Sequence, residues 1–242
     1  MRRFLLALVA TALSCLIVVL AVRPYSIAAD IYPEEELKVG QTLRNFRLVV
    51  PHRLQTPAPL VFAFHGVGDS AKAMARYSDL DRLATRERFI LVYPEARRSI
   101  WATVDANEQN LNTNPDVQFF DKIVDYLLSN YEVDRQRIYV LGMSNGASFA
   151  QLLAAARNKN IAAVAAHSGT IPRGLKSSDC SVPIMILVGE EDAAFAAIKS
   201  EAEEYQKRGR ETAFVPIKGL GHKWSMRHNL AMWDFCSNRK SE

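Results

Sequence analysis

Cysteine is scarce in this chain, three residues in 242, and one of them, Cys15, lies in an apolar N-terminal run. Only Cys180 and Cys236 remain as partners for a disulfide in the folded part. A charge excess is missing too. The net charge of +4 falls to +1 once Arg2, Arg3 and Arg23 of the N-terminal segment are set aside. No long basic run interleaved with aromatics remains, which excludes nucleic acid as a partner. Internal repeats, low-complexity tracts and an interdomain linker are also lacking. What is left is a chain 49% apolar, sized for one domain with one sizeable core.

The first residues stand apart from that core. Arg2 and Arg3 precede an uncharged run from Phe4 to Val22, closed by Arg23 and Pro24. A positive start followed by an apolar stretch reads as an export signal. Its 19 residues exceed a typical cleaved signal core and just suffice to span a bilayer. Ser26, Ala28 and Ala29 offer the small residues a signal peptidase needs, which favours cleavage near Ala28 slightly over a retained membrane anchor. Cys15 follows "ALS", a poor lipoprotein motif, and the run continues past it. Residues 1–29 are therefore read as signal peptide or anchor. Residues 30–242 are read as an exported domain, periplasmic or secreted.

Short apolar runs then alternate with segments of helical period, the pattern of an α/β fold on a mainly parallel sheet. The expected strands are "FRLVV", "LVFAFHG", "FILVYP", "RIYVLG", "IAAVAAHSG", "VPIMILVG" and "TAFVPIKG". Helical spacing links Ala73, Tyr77, Leu80 and Ala84, and again Phe120, Ile123, Val124 and Leu127. Asn114, Pro115 and Asp116 form a good helix start: a cap, a first-turn proline and an acid at the positive end. Between Pro94 and Pro115 the chain lacks clear period, and so long a loop in a compact domain is often functional.

The chemistry centres on "YVLGMSNGASFAQLL", where Gly142 and Gly146 flank Ser144 between a strand and a helix. Such a turn holds a serine strained and exposed at the sheet's end, and the glycines allow strand and helix to approach closely. A serine hydroxyl needs a base. Of five histidines, His222 in "GLGHKWS" follows the last expected strand and is the best placed. His167 ends a strand near Ser144 and competes, although a supporting or core role suits it better. His52 and His228 read as surface residues, and His65 as a residue that shapes its loop. "VPIMILVGEEDAAF" puts Glu190, Glu191 and Asp192 after a buried strand. The order Ser144, Asp192, His222 is that of α/β-hydrolases, with either glutamate a lesser alternative for the acid. Backbone N–H groups of Asn145 and Val67, the latter in "FAFHGVGDSA", are the expected oxyanion donors, with Gly68 close by. Trp101 and Trp224 are candidates to line a substrate pocket or to be ordinary packing residues.

Several of these stretches resemble the α/β-hydrolase group of extracellular polyhydroxybutyrate depolymerase-like and feruloyl or acetylxylan esterases, including LpqC-like proteins. They are "PLVFAFHGVGDSA", "YSDLDRLATRERFILVYPE", "YEVDRQRIYVLGMSNGASFA", "VPIMILVGEED" and "GLGHKWS", which together cover most of the chain from Pro59 to Ser225. The resemblance implies Ser144 as nucleophile, Asp192 as acid and His222 as base, in a single-domain α/β-hydrolase without a large lid. It departs from the group at Asp69, Ala147 and "AAFAAI", so the substrate stays open. With no appended polymer-binding module, a soluble, smallish or oligomeric ester is expected, with no cofactor or metal. Acyl transfer and peptide hydrolysis use the same triad, and a non-catalytic binding protein on this scaffold is a further alternative. Cys180 before one strand and Cys236 at the end of the last helix are both expected at the sheet's amino edge, where a disulfide would join them.

Overall fold

The computed structural model describes residues 28–176 and 180–241, so the N-terminal segment read as signal or anchor lies outside the described residues apart from its last two. Eight strands form one sheet in the order β1-β2-β4-β3-β5-β6-β7-β8. They are β1 (Ala29–Val39), β2 (Thr42–Pro51), β3 (Ala58–Phe64), β4 (Ile90–Pro94), β5 (Val133–Met143), β6 (Ala163–His167), β7 (Ile184–Gly189) and β8 (Thr212–Ile217). β1 and β2 join antiparallel, as do β2 and β4, and the rest pair in parallel. This is the single-domain α/β-hydrolase architecture.

All seven expected strands are present. The eighth, β1, reads "ADIYPEEELKV" and is mostly exposed, so it carries no apolar run. Its pairing shifts register between Tyr32 and Glu35, where Pro33 needs no ladder hydrogen bond. Helices cover both faces. On one lie α3 (Pro115–Asn130), α4 (Asn145–Ala156) and α5 (Phe195–Lys207); on the other lie α1 (Ala71–Ser78), α2 (Leu80–Glu87) and α6 (Asn229–Ser237). The wholly buried strand β3 divides its side chains accordingly. Leu60, Phe62 and Phe64 enter the first core, Val61 and Ala63 the second. α1 and α2 break at Asp79, which adopts a left-handed φ of 54° between them. α3 starts as its sequence requires: Asn114 Oδ1 accepts from the N–H groups of Asp116 and Val117, and Pro115 occupies the first turn.

The disulfide expected between Cys180 and Cys236 is not formed. Cys180 is packed in the core beneath α3–α5, whereas Cys236 belongs to the core beneath α6. The two lie on opposite faces of the sheet, and sharing an edge does not bring them together. Burial pushes the Cys236 thiol up to about 12.

The long segment after β4 is tethered rather than loose. Arg44 of β2 and Asp116 of α3 form a buried pair at 2.8 Å, and Asp116 Oδ2 accepts the Ala102 N–H at 2.8 Å. Asn114 Nδ2 donates to Ala102 O at 2.7 Å, and Gly68 N–H to Ser99 O at 2.9 Å.

Candidate active site

At the end of β5 the chain turns sharply at Ser144, with φ 56° and ψ −121°, before α4 begins at Asn145. A non-glycine residue rarely adopts positive φ, and here the conformation aligns with the strand–turn–helix sequence pattern. Ser144 N–H donates to His167 O at 2.9 Å, which ties the turn to the neighbouring strand β6. The flanking glycines have a steric reason. A Cβ on Gly142 would lie far under 3.0 Å from Gly146 O, and one on Gly146 equally close to Phe64 O. Gly169 is constrained in the same way by Ser144 O.

Past β7, Asp192 is 6% exposed, while Glu190 and Glu191 are exposed. Of the three acids only Asp192 turns inward. Its Oδ2 accepts from His222 Nδ1 at 2.8 Å, and its Oδ1 accepts the Ala194 N–H at 3.0 Å. Burial works against the carboxylate, but the hydrogen bonds from Ala194, His222 and Ser168 outweigh it and hold its pKa below the ordinary value. The loop that carries His222 is pressed against the acid loop: Glu191 N–H donates to Leu220 O at 3.0 Å, and a Cβ on Gly189 would collide with that carbonyl.

His222 Nδ1 is engaged by Asp192, which leaves Nε2 as the nitrogen for chemistry. Ser144 and His222 line one cleft of about 430 Å³ together with Gly66, Val67, Asp69, Tyr77, Met143, Lys223 and Trp224. Among the described residues Ser144 Oγ makes no hydrogen bond to His222. The fold thus brings acid and base into contact and sets the serine beside them in the same cleft.

The turn after β3 separates the two candidate donors there. Gly68 N–H is committed to Ser99 O at 2.9 Å, and Asp69 N–H donates to Gly66 O at 3.3 Å. That leaves Val67, which lines the cleft. The Asn145 side chain is occupied elsewhere: Oδ1 accepts the Trp101 N–H and Nδ2 donates to Thr103 Oγ1, both at 2.8 Å. The side chain anchors the long loop while the backbone N–H sits at the start of α4, where the helix dipole favours negative charge.

Trp224 lines the cleft, and Trp101 does not. Trp101 is 1% exposed, donates Nε1–H to His65 O at 2.9 Å, and stacks on Phe149 with centroids 4.8 Å apart. It is a packing residue that holds the loop down. His65 shapes its turn, with Nδ1 2.8 Å from Gly66 O and Nε2 accepting the Ala96 N–H at 3.1 Å. Asp69, Tyr77, Met143 and Ser168 were not singled out as site residues from the sequence. Burial first, then the nearby Asp69 carboxylate, pushes the Tyr77 hydroxyl well above its ordinary pKa.

This combination of fold and cleft defines an α/β-hydrolase. Solved structures agree on the fold: the fluorophosphonate-binding serine hydrolase F of Staphylococcus aureus superposes with a TM-score of 0.69 at 12% identity, covering 86% of this chain and 98% of that one. A ferulic acid esterase gives a TM-score of 0.68 at 17% identity, covering 88% and 98%. Residues 46–208 match the family described as esterase PHB depolymerase, and the chain belongs to that family. Relatives include feruloyl esterase B of Neurospora crassa, 29% identical over 134 residues, or 54% of this chain and 46% of the relative. Acetylxylan esterase A of Emericella nidulans is 27% identical over 140 residues, 57% of this chain and 46% of its own length. In each of these two alignments the matched part is under half of the relative.

Proposed function

We propose that the chain is a serine carboxylesterase, with Ser144 as nucleophile, His222 as base and Asp192 as the acid that orients it. One observation carries the reading: the 2.8 Å Asp192–His222 hydrogen bond lies at a cleft that also contains Ser144 in its strained turn. His222 Nε2 takes the Ser144 hydroxyl proton as Oγ attacks the ester carbonyl, and Asp192 stabilises the imidazolium that results. The carbonyl oxygen becomes an oxyanion received by the N–H groups of Asn145 and Val67. Collapse expels the alcohol, which takes its proton from His222. Water, activated by the same imidazole, then attacks the acyl-enzyme and releases the acid. No cofactor enters this cycle.

The substrate in this reading is a soluble carboxylic ester of feruloyl, acetyl or hydroxyalkanoate-oligomer type. The names of the relatives support the ester class, and the cleft walls formed by Val67, Tyr77, Met143 and Trp224 suit a modest acyl or aromatic group. The apolar N-terminal run supports export, to the periplasm or beyond, with a membrane contact only through an uncleaved anchor.

A fluorophosphonate probe followed by peptide mass spectrometry tests the proposal, because it reports an activated serine without the natural ester. The expected result is selective labelling of Ser144, abolished in a still-folded His222→Ala variant. Failure of folded wild-type protein to label overturns the reading.

A further inference from the structure

His167 is fully buried beside the cleft and bonds to the segments of Ser144 and His222, while its neighbour Ser168 is among the groups acting on Asp192. Its carbonyl accepts the Ser144 N–H at 2.9 Å. Its ring stacks on Trp224, centroids 5.3 Å apart, and its Nε2 accepts the Ser225 N–H at 3.2 Å, which pins the loop just after His222. An Nε2 that accepts a backbone proton is unprotonated, so a neutral ring carries its proton at Nδ1. Nδ1 lies 3.1 Å from Ser168 Oγ. Ser168 Oγ accepts that hydrogen bond, and its hydroxyl is among the groups that hold the nearby Asp192 carboxylate below its ordinary pKa. Its backbone holds a left-handed φ of 58° and the residue is 3% exposed, a strained placement that the surrounding contacts must maintain.

The charges around the ring favour this arrangement. Burial, then His228, and more weakly His222 depress the imidazole pKa to about 4, with Asp192 opposing them. The ring is therefore neutral at ordinary pH, as the accepting Nε2 requires.

We propose that His167 and Ser168 are positioning residues: His167 Nδ1–H orients the Ser168 hydroxyl, whose proton fixes the carboxylate that holds His222. The hydrogen-bond chain then runs in one direction, from Ser225 N–H into His167 Nε2, from His167 Nδ1–H to Ser168 Oγ, and from Ser168 O–H to Asp192. Its effect on turnover rests on the esterase reading. The hydrogen bonds themselves do not.

Three substitutions and two readouts test it. Ser168→Ala removes the last link and should lower kcat about tenfold with KM within about twofold, as expected for a hydrogen bond to a charged group outside the substrate site. The proton-NMR resonance of His222 Nδ1–H should move in the same variant, because its carboxylate partner has lost a donor. His167→Asn keeps a donor near the Nδ1 position and loses the acceptor for Ser225, whereas His167→Gln does the reverse. His167→Asn should therefore keep kcat nearer the wild-type value than His167→Gln at comparable thermal stability. A folded Ser168→Ala protein with wild-type kcat and an unmoved resonance overturns the proposal. So do His167 variants whose kcat simply follows their stability. If wild-type protein does not react with fluorophosphonate, the esterase reading falls, and the resonance in Ser168→Ala still decides whether the relay exists.

Discussion

Gly146→Ala isolates the close approach on which the serine turn depends. The added methyl would sit well under 3.0 Å from the carbonyl oxygens of Phe64 and His65. These are backbone atoms at the end of β3, so no side-chain rotation relieves the overlap. Alanine in a helix gains about 1 kcal/mol over glycine, which works in favour of the variant. Overpacking of ordinary side chains costs about 1–3 kcal/mol, and a clash with fixed backbone falls at or beyond the upper end of that range. The net loss should be about 2 kcal/mol, or about 4–8 °C in Tm for a domain of this size. The strand that must yield leads directly into the Val67 turn, so displacement also reaches the proposed oxyanion donor. Turnover of a chromogenic acetate ester should fall roughly 10- to 100-fold, as misplacement of about 1 Å does elsewhere. Gly221→Ala is the control for stability. A methyl there meets nothing within 4 Å, and its backbone is outside the left-handed region, so Tm should hold within about 1–2 °C. Differential scanning calorimetry and steady-state kinetics read both outcomes. A Gly146→Ala protein as stable and as active as wild type would refute the steric account of the motif.

Other perturbations test separate parts of the molecule. Burial raises the Glu201 carboxyl to about 7, partly offset by the Ile171 N–H it accepts at 2.9 Å. Its folded pKa lies above the unfolded value, so its contribution is complete at acid pH and is lost as pH rises to about 7. Glu201→Gln should thus gain about 1–2 kcal/mol near pH 8 and nothing near pH 4, read from urea unfolding midpoints at both. His167 has the opposite sign: a pKa depressed to about 4 leaves its contribution intact above the unfolded value of 6.5 and removes it as pH falls. That loss amounts to about 3 kcal/mol across the window, and His167→Asn should flatten the acid limb of the stability curve accordingly. Thr103→Val deprives Asn145 Nδ2 of its acceptor and should lower kcat/KM roughly three- to tenfold; an unchanged value would mean the loop anchor does not reach the proposed oxyanion donor.

Much of the fold was legible because strands buried on both faces are written as apolar runs. β1 escaped that logic, since an exposed hairpin edge with Pro33 and three consecutive acids has neither apolar continuity nor clean alternation. The break at Asp79 was hidden for another reason: the spacing of Ala73, Tyr77, Leu80 and Ala84 runs through it, and only the left-handed backbone separates the helices. At the candidate site, Ser144, Asp192 and His222 could be read from local motifs and their chain order. The role proposed for Ser168 could not, because it depends on which way one hydroxyl points between two loops. Trp101 was ambiguous because it sits in a polar loop, and its burial is decided by Phe64 and Phe149 on other elements. The cysteine reading placed both residues at one edge of the sheet. Which face each occupies is set by the side of the sheet its segment packs against, and that is a tertiary property.

The separation of the two thiols bears on how the protein can be made. Among the described residues Cys180 and Cys236 lie in cores divided by the full sheet, so the fold they belong to does not draw on a disulfide between them. The cleft that holds Ser144 and His222 is shaped by packing and hydrogen bonds. The domain is accordingly suited to production in a reducing host cytoplasm, where a fold that relied on correct cysteine pairing would be trapped in isomers.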